Sequence, residues 1–69
     1  VVVELNNVEY WFNEKSLSNF IGFINVSDKA NYLSIKWKTK GKVWNTLSIS
    51  DAYQITFSAS QKIQEIYTN

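Results

Sequence analysis

Residues 32–50 read YLSIKWKTKGKVWNTLSIS, and the predicted fold depends on this stretch. Apolar and polar residues alternate on either side of a lysine-rich centre, which predicts two strands joined by a tight turn. A two-residue turn at Lys40-Gly41 would mix apolar and polar side chains on each face. A three-residue turn, Thr39-Lys40-Gly41, keeps one face apolar and is favoured, with Gly41 in the left-handed position of a bulged turn.

The favoured turn sorts the hairpin and its neighbours into two faces, with Lys38 opposite Lys42 and Trp37 opposite Val43. The predicted core face consists of Ile24, Val26, Leu33, Ile35, Trp37, Val43, Leu47 and Ile49. The predicted outer face is polar, basic and aromatic, and it consists of Phe23, Asn25, Tyr32, Ser34, Lys36, Lys38, Lys42, Trp44, Thr46 and Ser48. Trp37 is therefore expected in the core and Trp44 on the outer face.

The segment before this hairpin predicts a further antiparallel strand. Residues 20–27, FIGFINVS, are rich in strand-forming side chains, and residues 28–31, DKAN, are typical of a turn because Asp and Asn hydrogen-bond their own backbone. A four-residue loop would set Ile24 opposite Ile35 on the apolar face. Residues 13–19 are polar apart from one leucine and indicate a connection, with a single helical turn as the alternative.

The first residues of the chain indicate another hairpin. Residues 1–12 alternate in polarity around Asn6-Asn7, and asparagine tolerates the positive φ of a two-residue primed turn. Such a turn brings Glu4 against Glu9, a like-charge pair with a small cost. A single long strand with a bulge at the asparagines is the alternative. The hairpin register pairs Leu5 with Val8, Val3 with Tyr10 and Val1 with Phe12.

The C-terminal part fits two periods. Tyr53, Ile55 and Phe57 alternate with polar residues as in a strand, and their β-branched and aromatic character favours that structure. Helical spacing is also satisfied there, by Ala52, Ile55, Ala59, Ile63 and Ile66. A helix is predicted from about Ser58 or Ser60 onward. The choice for residues 51–58 decides between a layered fold and a small barrel.

The predicted fold class is α+β and mainly β: a single antiparallel sheet of about four to six strands with one short C-terminal helix. The 69 residues suffice for one domain, whose core relies on 3 Trp, 4 Tyr and 4 Phe. A strand-like start without Met predicts that residues 1–69 are a domain excised from a longer chain. No apolar run approaches the ~20 residues of a membrane span.

The composition argues against enzyme chemistry. The chain has no His and no Cys, which excludes histidine acid–base catalysis, thiol chemistry and zinc sites of the usual kind. The acidic residues are scattered, and the two glycines form no phosphate-binding loop. The sequence therefore predicts a binding module without catalytic residues, cofactor or metal.

One group of residues indicates a ligand. Lys36, Lys38 and Lys42 surround Trp44 on the predicted outer face. Phe23 and Tyr32 belong to the same face and complete the predicted ligand-binding set. Lysines that neutralise phosphates beside rings that stack on bases are typical of proteins that bind single-stranded nucleic acid. Single-stranded nucleic acid is therefore the first predicted partner.

Three other interpretations use the same residues. The first is structural, because alternating lysines also protect sheet edges from aggregation. The net charge of +1, without any arginine, likewise argues against a nucleic-acid partner. An aromatic-rich face suits another protein or a second copy of the chain. An exposed Trp44 could stack on a sugar, as in carbohydrate-binding modules. Burial of Trp44 under the C-terminal helix would remove the stacking surface altogether.

Overall fold

The structure, a computed structural model, describes residues 1–68 and contains two β-hairpins, each followed by a helix. Each hairpin is a separate two-stranded antiparallel sheet. The prediction of a single, mainly β sheet with one short helix is therefore wrong. In order, the elements are β1 (Val2–Leu5), β2 (Val8–Trp11), α1 (Glu14–Lys29), β3 (Ser34–Lys38), β4 (Trp44–Ser48) and α2 (Ile49–Thr68).

The first hairpin has the predicted register. Strand β1 pairs with β2 so that Val3 lies opposite Tyr10 and Glu4 opposite Glu9. Asn6 and Asn7 have φ values of 53° and 63°, the two positive angles that a primed two-residue turn requires. The prediction from the Asn6-Asn7 pair is confirmed, since asparagine adopts this region at lower cost than most residues.

Helix α1 replaces the strand predicted over residues 20–27, and that prediction is wrong. Leu17, Phe20 and Ile24 are buried at helical spacing, whereas Phe23 and Val26 are exposed. Asn13 caps the helix, because its side chain accepts a hydrogen bond from the Ser16 backbone N–H at 2.8 Å. The Ser16 hydroxyl accepts in return from the Asn13 backbone N–H at 2.9 Å, which completes a capping box.

The DKAN segment does contain a turn, but it ends a helix rather than joining two strands. Asn31 has φ 65°, the left-handed conformation common just after a helix. The Tyr32 N–H donates to the Ser27 carbonyl, and the Asn31 N–H donates to the Asp28 carbonyl, both at 3.0 Å. These two bonds form the Schellman arrangement. The predicted turn is therefore present, but the element before it is a helix and not the predicted strand.

The second hairpin keeps the predicted faces but not the predicted register. The structure pairs Lys38 with Trp44, and the Thr39 N–H donates to the Val43 carbonyl at 2.8 Å. The three-residue loop therefore consists of residues 40–42 instead of residues 39–41. Lys42, with φ 64°, takes the left-handed position predicted for Gly41. A shift of two in the pairing leaves every side chain on its predicted face.

Helix α2 begins nine or more residues before the predicted start at Ser58 or Ser60, counting from its first residue Ile49. Ala52, Ile55 and Ala59 are buried, so the strand interpretation of residues 51–58 is wrong and the helical spacing is correct. The Ser48 hydroxyl accepts from the Asp51 backbone N–H at 3.0 Å and caps the first turn. The last residue of the predicted helix, Asn69, lies outside the described residues.

The core lies between the helices and the inner faces of both hairpins. Ile24, Ile35 and Leu47 are buried as predicted, with Trp37 and Ile49 partly buried. The prediction of a buried Val26, Leu33 and Val43 is wrong. Leu33 has an exposed fraction of 87%, because residues 20–27, predicted as the strand beside it, belong to the helix α1. The buried hydrophobic residues are Val3, Tyr10, Phe12, Leu17, Phe20, Ile24, Ile35, Leu47, Ala52, Ile55 and Ala59.

Side-chain hydrogen bonds connect the two hairpin–helix units. Asn45 Nδ2 of β4 donates to Tyr10 Oη of β2 at 2.9 Å, which joins the hairpins. Tyr53 Oη near the start of α2 donates to Asp28 Oδ2 near the end of α1 at 2.8 Å. The helices therefore pack antiparallel. These bonds hold the relative orientation of the hairpins, on which the candidate site depends.

Candidate functional site

A cleft of about 520 Å³ lies between the first hairpin, the start of α1 and the tip of the second hairpin. All three tryptophans of the chain and three of its seven lysines line it. Two small polar residues complete the wall, and no carboxylate of residues 1–68 belongs to it. The lining residues are Trp11, Ser16, Trp37, Lys38, Thr39, Lys40, Lys42 and Trp44.

The cleft forms where two strand edges separate. Strand β2 pairs only with β1 and β3 only with β4, so each has one edge outside its sheet. In the loop just after β3, the Lys40 N–H donates to the Glu9 carbonyl of β2 at 2.8 Å. Trp11, two residues after Glu9, and Lys38, two residues before Lys40, line the opening. The docking of the loop against β2 thus brings Trp11 to the second hairpin.

Trp37 is the fixed part of the cleft. Its ring centroid lies 4.8 Å from that of Phe20 at an interplanar angle of 62°, an edge-to-face arrangement. The Phe23 ring lies 5.9 Å away on the same helix α1. Phe20 is fully buried and packs against the side of the Trp37 indole that faces the core. Trp37 also lines the cleft, so its position there is fixed by this packing.

Trp44 offers the most open ring surface among the three tryptophans, with an exposed fraction of 60%. It lies directly opposite Lys38 on the neighbouring strand. The flanking backbone hydrogen bond at Thr39–Val43 makes Lys38–Trp44 a non-hydrogen-bonded pair, the kind in which facing side chains approach most closely. Accordingly, Lys38 Nζ lies 5.4 Å from the Trp44 ring centroid, within cation–π distance.

The remaining cations come from the loop. Lys40 and Lys42 are exposed and lie beyond the ends of β3 and β4, so their charges are added to that of Lys38 at one end of the cleft. Trp11, whose exposed fraction is 51%, lies on the opposite wall. The site therefore combines aromatic surface with positive charge inside one concave space.

The structure brings together half of the predicted ligand-binding set. Lys38, Lys42 and Trp44 line the cleft. Lys36 is exposed on the same face of β3 but lies outside the lining. Phe23 belongs to α1 rather than to a strand, and its partly exposed ring contacts Trp37 instead of the cleft. Tyr32 is exposed in the connection between α1 and β3 and does not reach the cleft.

Sequence reasoning missed Trp11, Trp37 and Lys40. Trp11 lies between the buried Tyr10 and Phe12 and faces outward, but nothing in the local sequence indicates that β2 approaches the second hairpin. Trp37 was assigned to the core, and it is both a core residue and a lining residue. Lys40 was recognised only as the tip of the loop.

Other chemistry among residues 1–68 lies elsewhere. Hydrogen bonding to Asp28 raises the pKa of Tyr53, and hydrogen bonding to Glu14 raises the pKa of Tyr67; both tyrosines belong to α2 and do not line the cleft. No group of three or more His, Cys, Asp or Glu side chains in this range is placed to hold a metal ion. Neither helix, within the same range, has the length and apolar character to cross a bilayer.

Comparisons with protein-family models, with curated proteins and with solved structures give no significant match for this chain.

Proposed function

We propose that this chain is a non-catalytic module that binds single-stranded nucleic acid in the tryptophan–lysine cleft. The observation that carries the proposal is the convergence of all three tryptophans and three lysines on one concave space, whose described lining residues include no carboxylate. The net charge of the chain is only +1, but the cleft concentrates the positive charge locally. Local potential rather than net charge attracts an anionic ligand to a cleft.

The two residue types serve the two parts of a nucleotide. An exposed indole face stacks on any base, which is worth roughly 1–3 kcal/mol per base. Lysine ammonium groups neutralise phosphates without requiring a particular sequence. Trp44 supplies the open ring, and Lys38, Lys40 and Lys42 lie around it. This arrangement favours a single strand, because the base faces of a duplex are already stacked on one another.

The direct test is anisotropy titration of a labelled single-stranded oligonucleotide against the wild type and Trp44→Ala. Loss of one stacked base weakens binding by roughly 5- to 150-fold, equivalent to 1–3 kcal/mol. Phe57→Ala is the matched control, since Phe57 is a similarly exposed aromatic residue on α2, at 65% against 60% for Trp44, and does not line the cleft. Equal affinities for the two variants would contradict the proposal.

Salt dependence provides a second readout. Each neutralised phosphate of a single strand contributes about −0.7 to the slope of log K against log salt concentration. Contacts from Lys38, Lys40 and Lys42 therefore predict a slope of about −2. Binding that is indifferent to ionic strength would exclude phosphate contacts and favour a neutral ligand, such as a sugar stacked on Trp44.

A protein partner, or a second copy of this chain, is the alternative that a separate observation favours. Leu33 and Tyr32, in the connection between α1 and β3, have exposed fractions of 87% and 63% and lie outside the cleft. Exposed aromatic and aliphatic side chains are typical of interaction surfaces. Sedimentation equilibrium over a range of concentrations tests self-association, and a monomer at every concentration would count against it.

A further inference from the structure

The ammonium group of Lys38 lies over the ring of Trp44, and both residues line the cleft. Lys38 Nζ lies 5.4 Å from the centroid of the Trp44 ring in the free protein. The register favours this contact, since Lys38 is paired directly with Trp44 across β3 and β4. An aromatic ligand that stacks on this face of the indole must first displace the ammonium group.

We propose that Lys38 is a specificity-determining residue that admits phosphate-bearing nucleotide units to Trp44 and disfavours neutral ring ligands such as nucleosides and sugars. This inference rests on the proposed function of the cleft. A phosphate attached to the stacked base attracts the displaced ammonium and replaces its interaction with the ring. A neutral ligand displaces the same cation and offers it no new partner.

A comparison with Lys42 separates the effect of Lys38 on ligand specificity from its contribution of positive charge. Lys42 also lines the cleft, but it extends from the loop and is not the partner of Trp44 in the strand pairing. Removing Lys42 should weaken phosphate binding and leave the access of a neutral ring to Trp44 unchanged. Removing Lys38 should weaken phosphate binding and improve that access, because a cation–π contact at an exposed site competes with the incoming ring.

The experiment compares adenosine with adenosine 5′-monophosphate as probes in the wild type, Lys38→Ala and Lys42→Ala. Binding is followed by NMR through the indole Nε1–H signal of Trp44, which is assigned from its absence in Trp44→Phe. For Lys38→Ala, we expect adenosine to bind about two- to fivefold more tightly, because the substitution removes an exposed cation–π contact that competes with the ligand. The monophosphate should bind more weakly. Both changes lower the ratio of the affinity for the monophosphate to the affinity for adenosine. Lys42→Ala should lower only the affinity for the monophosphate.

The outcomes distinguish this inference from the proposed function. If the wild type prefers the monophosphate and Lys38→Ala behaves like Lys42→Ala, Lys38 is one phosphate contact among others, and the inference is wrong while the proposed function stands. If the wild type binds neither the monophosphate nor a single-stranded oligonucleotide, both are wrong. Circular dichroism of each variant checks that the fold is retained, as expected for exposed lysines.

Discussion

Two single substitutions in the loop of the second hairpin should both increase stability, whereas the register predicted from sequence gives a gain for neither. Lys42 has φ 64°, a conformation that costs an L-residue about 1–2 kcal/mol. Lys42→Gly removes this cost. Glycine also increases the entropy of the unfolded chain, which offsets about 0.5–1 kcal/mol, so we expect a net gain of roughly 0.5–1 kcal/mol in the free energy of unfolding.

Gly41 is the matched position. Its φ is not positive, and an added Cβ would meet only Thr39 Oγ1, at 3.8 Å. Gly41→Ala should therefore stabilise the protein by about 0.4–1 kcal/mol through the unfolded state. In the register predicted from sequence, Gly41 would hold the left-handed position. Gly41→Ala would then destabilise the protein, and Lys42→Gly would bring no gain.

Urea unfolding followed by tryptophan fluorescence measures both changes as shifts of the midpoint. With a slope near the low end of the ordinary range, about 1 kcal/mol per molar urea, the shifts are roughly 0.5–1 M upward. Lys42→Ala is the control for lost charge, because it keeps the Cβ and should stay within about 0.5 kcal/mol of the wild type. A destabilised Gly41→Ala, or a Lys42→Gly no more stable than Lys42→Ala, would refute the observed register.

Three further predictions concern individual hydrogen bonds of the fold. In a double-mutant cycle of Tyr10→Phe and Asn45→Ala, measured by urea unfolding, the coupling should be about 0.5–1.5 kcal/mol, and additive effects would rule out the hydrogen bond between the hairpins. Asn13→Ala should cost about 0.5–2 kcal/mol by removing the cap of α1, whereas a strand in this region would be indifferent to it. Because the bond to Asp28 raises the pKa of Tyr53 above 10.0, its contribution is complete below pH 10.0 and is lost as the pH rises through the raised value. The stability difference between the wild type and Tyr53→Phe should therefore shrink above pH 10.0, and a difference that stays constant would contradict the assignment.

Local sequence determined the parts of the fold that depend on neighbouring residues alone. The Asn6-Asn7 pair specifies a turn with two positive φ angles, and with it the register of the whole first hairpin. Strict alternation likewise specified the two faces of the second hairpin, since side chains on a strand point to opposite sides with a period of two. For the same reason Lys38 and Trp44 could be placed on one face before any tertiary contact was known.

Tertiary packing decided the segments whose apolar residues fit both periods. Residues 20–27 and 53–57 are short runs that satisfy a strand and a helix equally, and the strand propensity of their side chains was overridden by burial. Inclusion of Leu17 in the first run would have favoured the helix, because Leu17, Phe20 and Ile24 form one buried stripe. In both cases burial against the opposite unit selects the structure.

The cleft shows the same division. Sequence alone placed Trp44 beside lysines and predicted that its exposure would decide the function. The other wall, Trp11, comes from a different hairpin, and it reaches the cleft because the Lys40 N–H binds the Glu9 carbonyl. That contact joins residues far apart in the chain through backbone atoms, which carry no sequence signal. Sequence therefore determined which side chains share a face, whereas only the tertiary structure decided which faces enclose a common space.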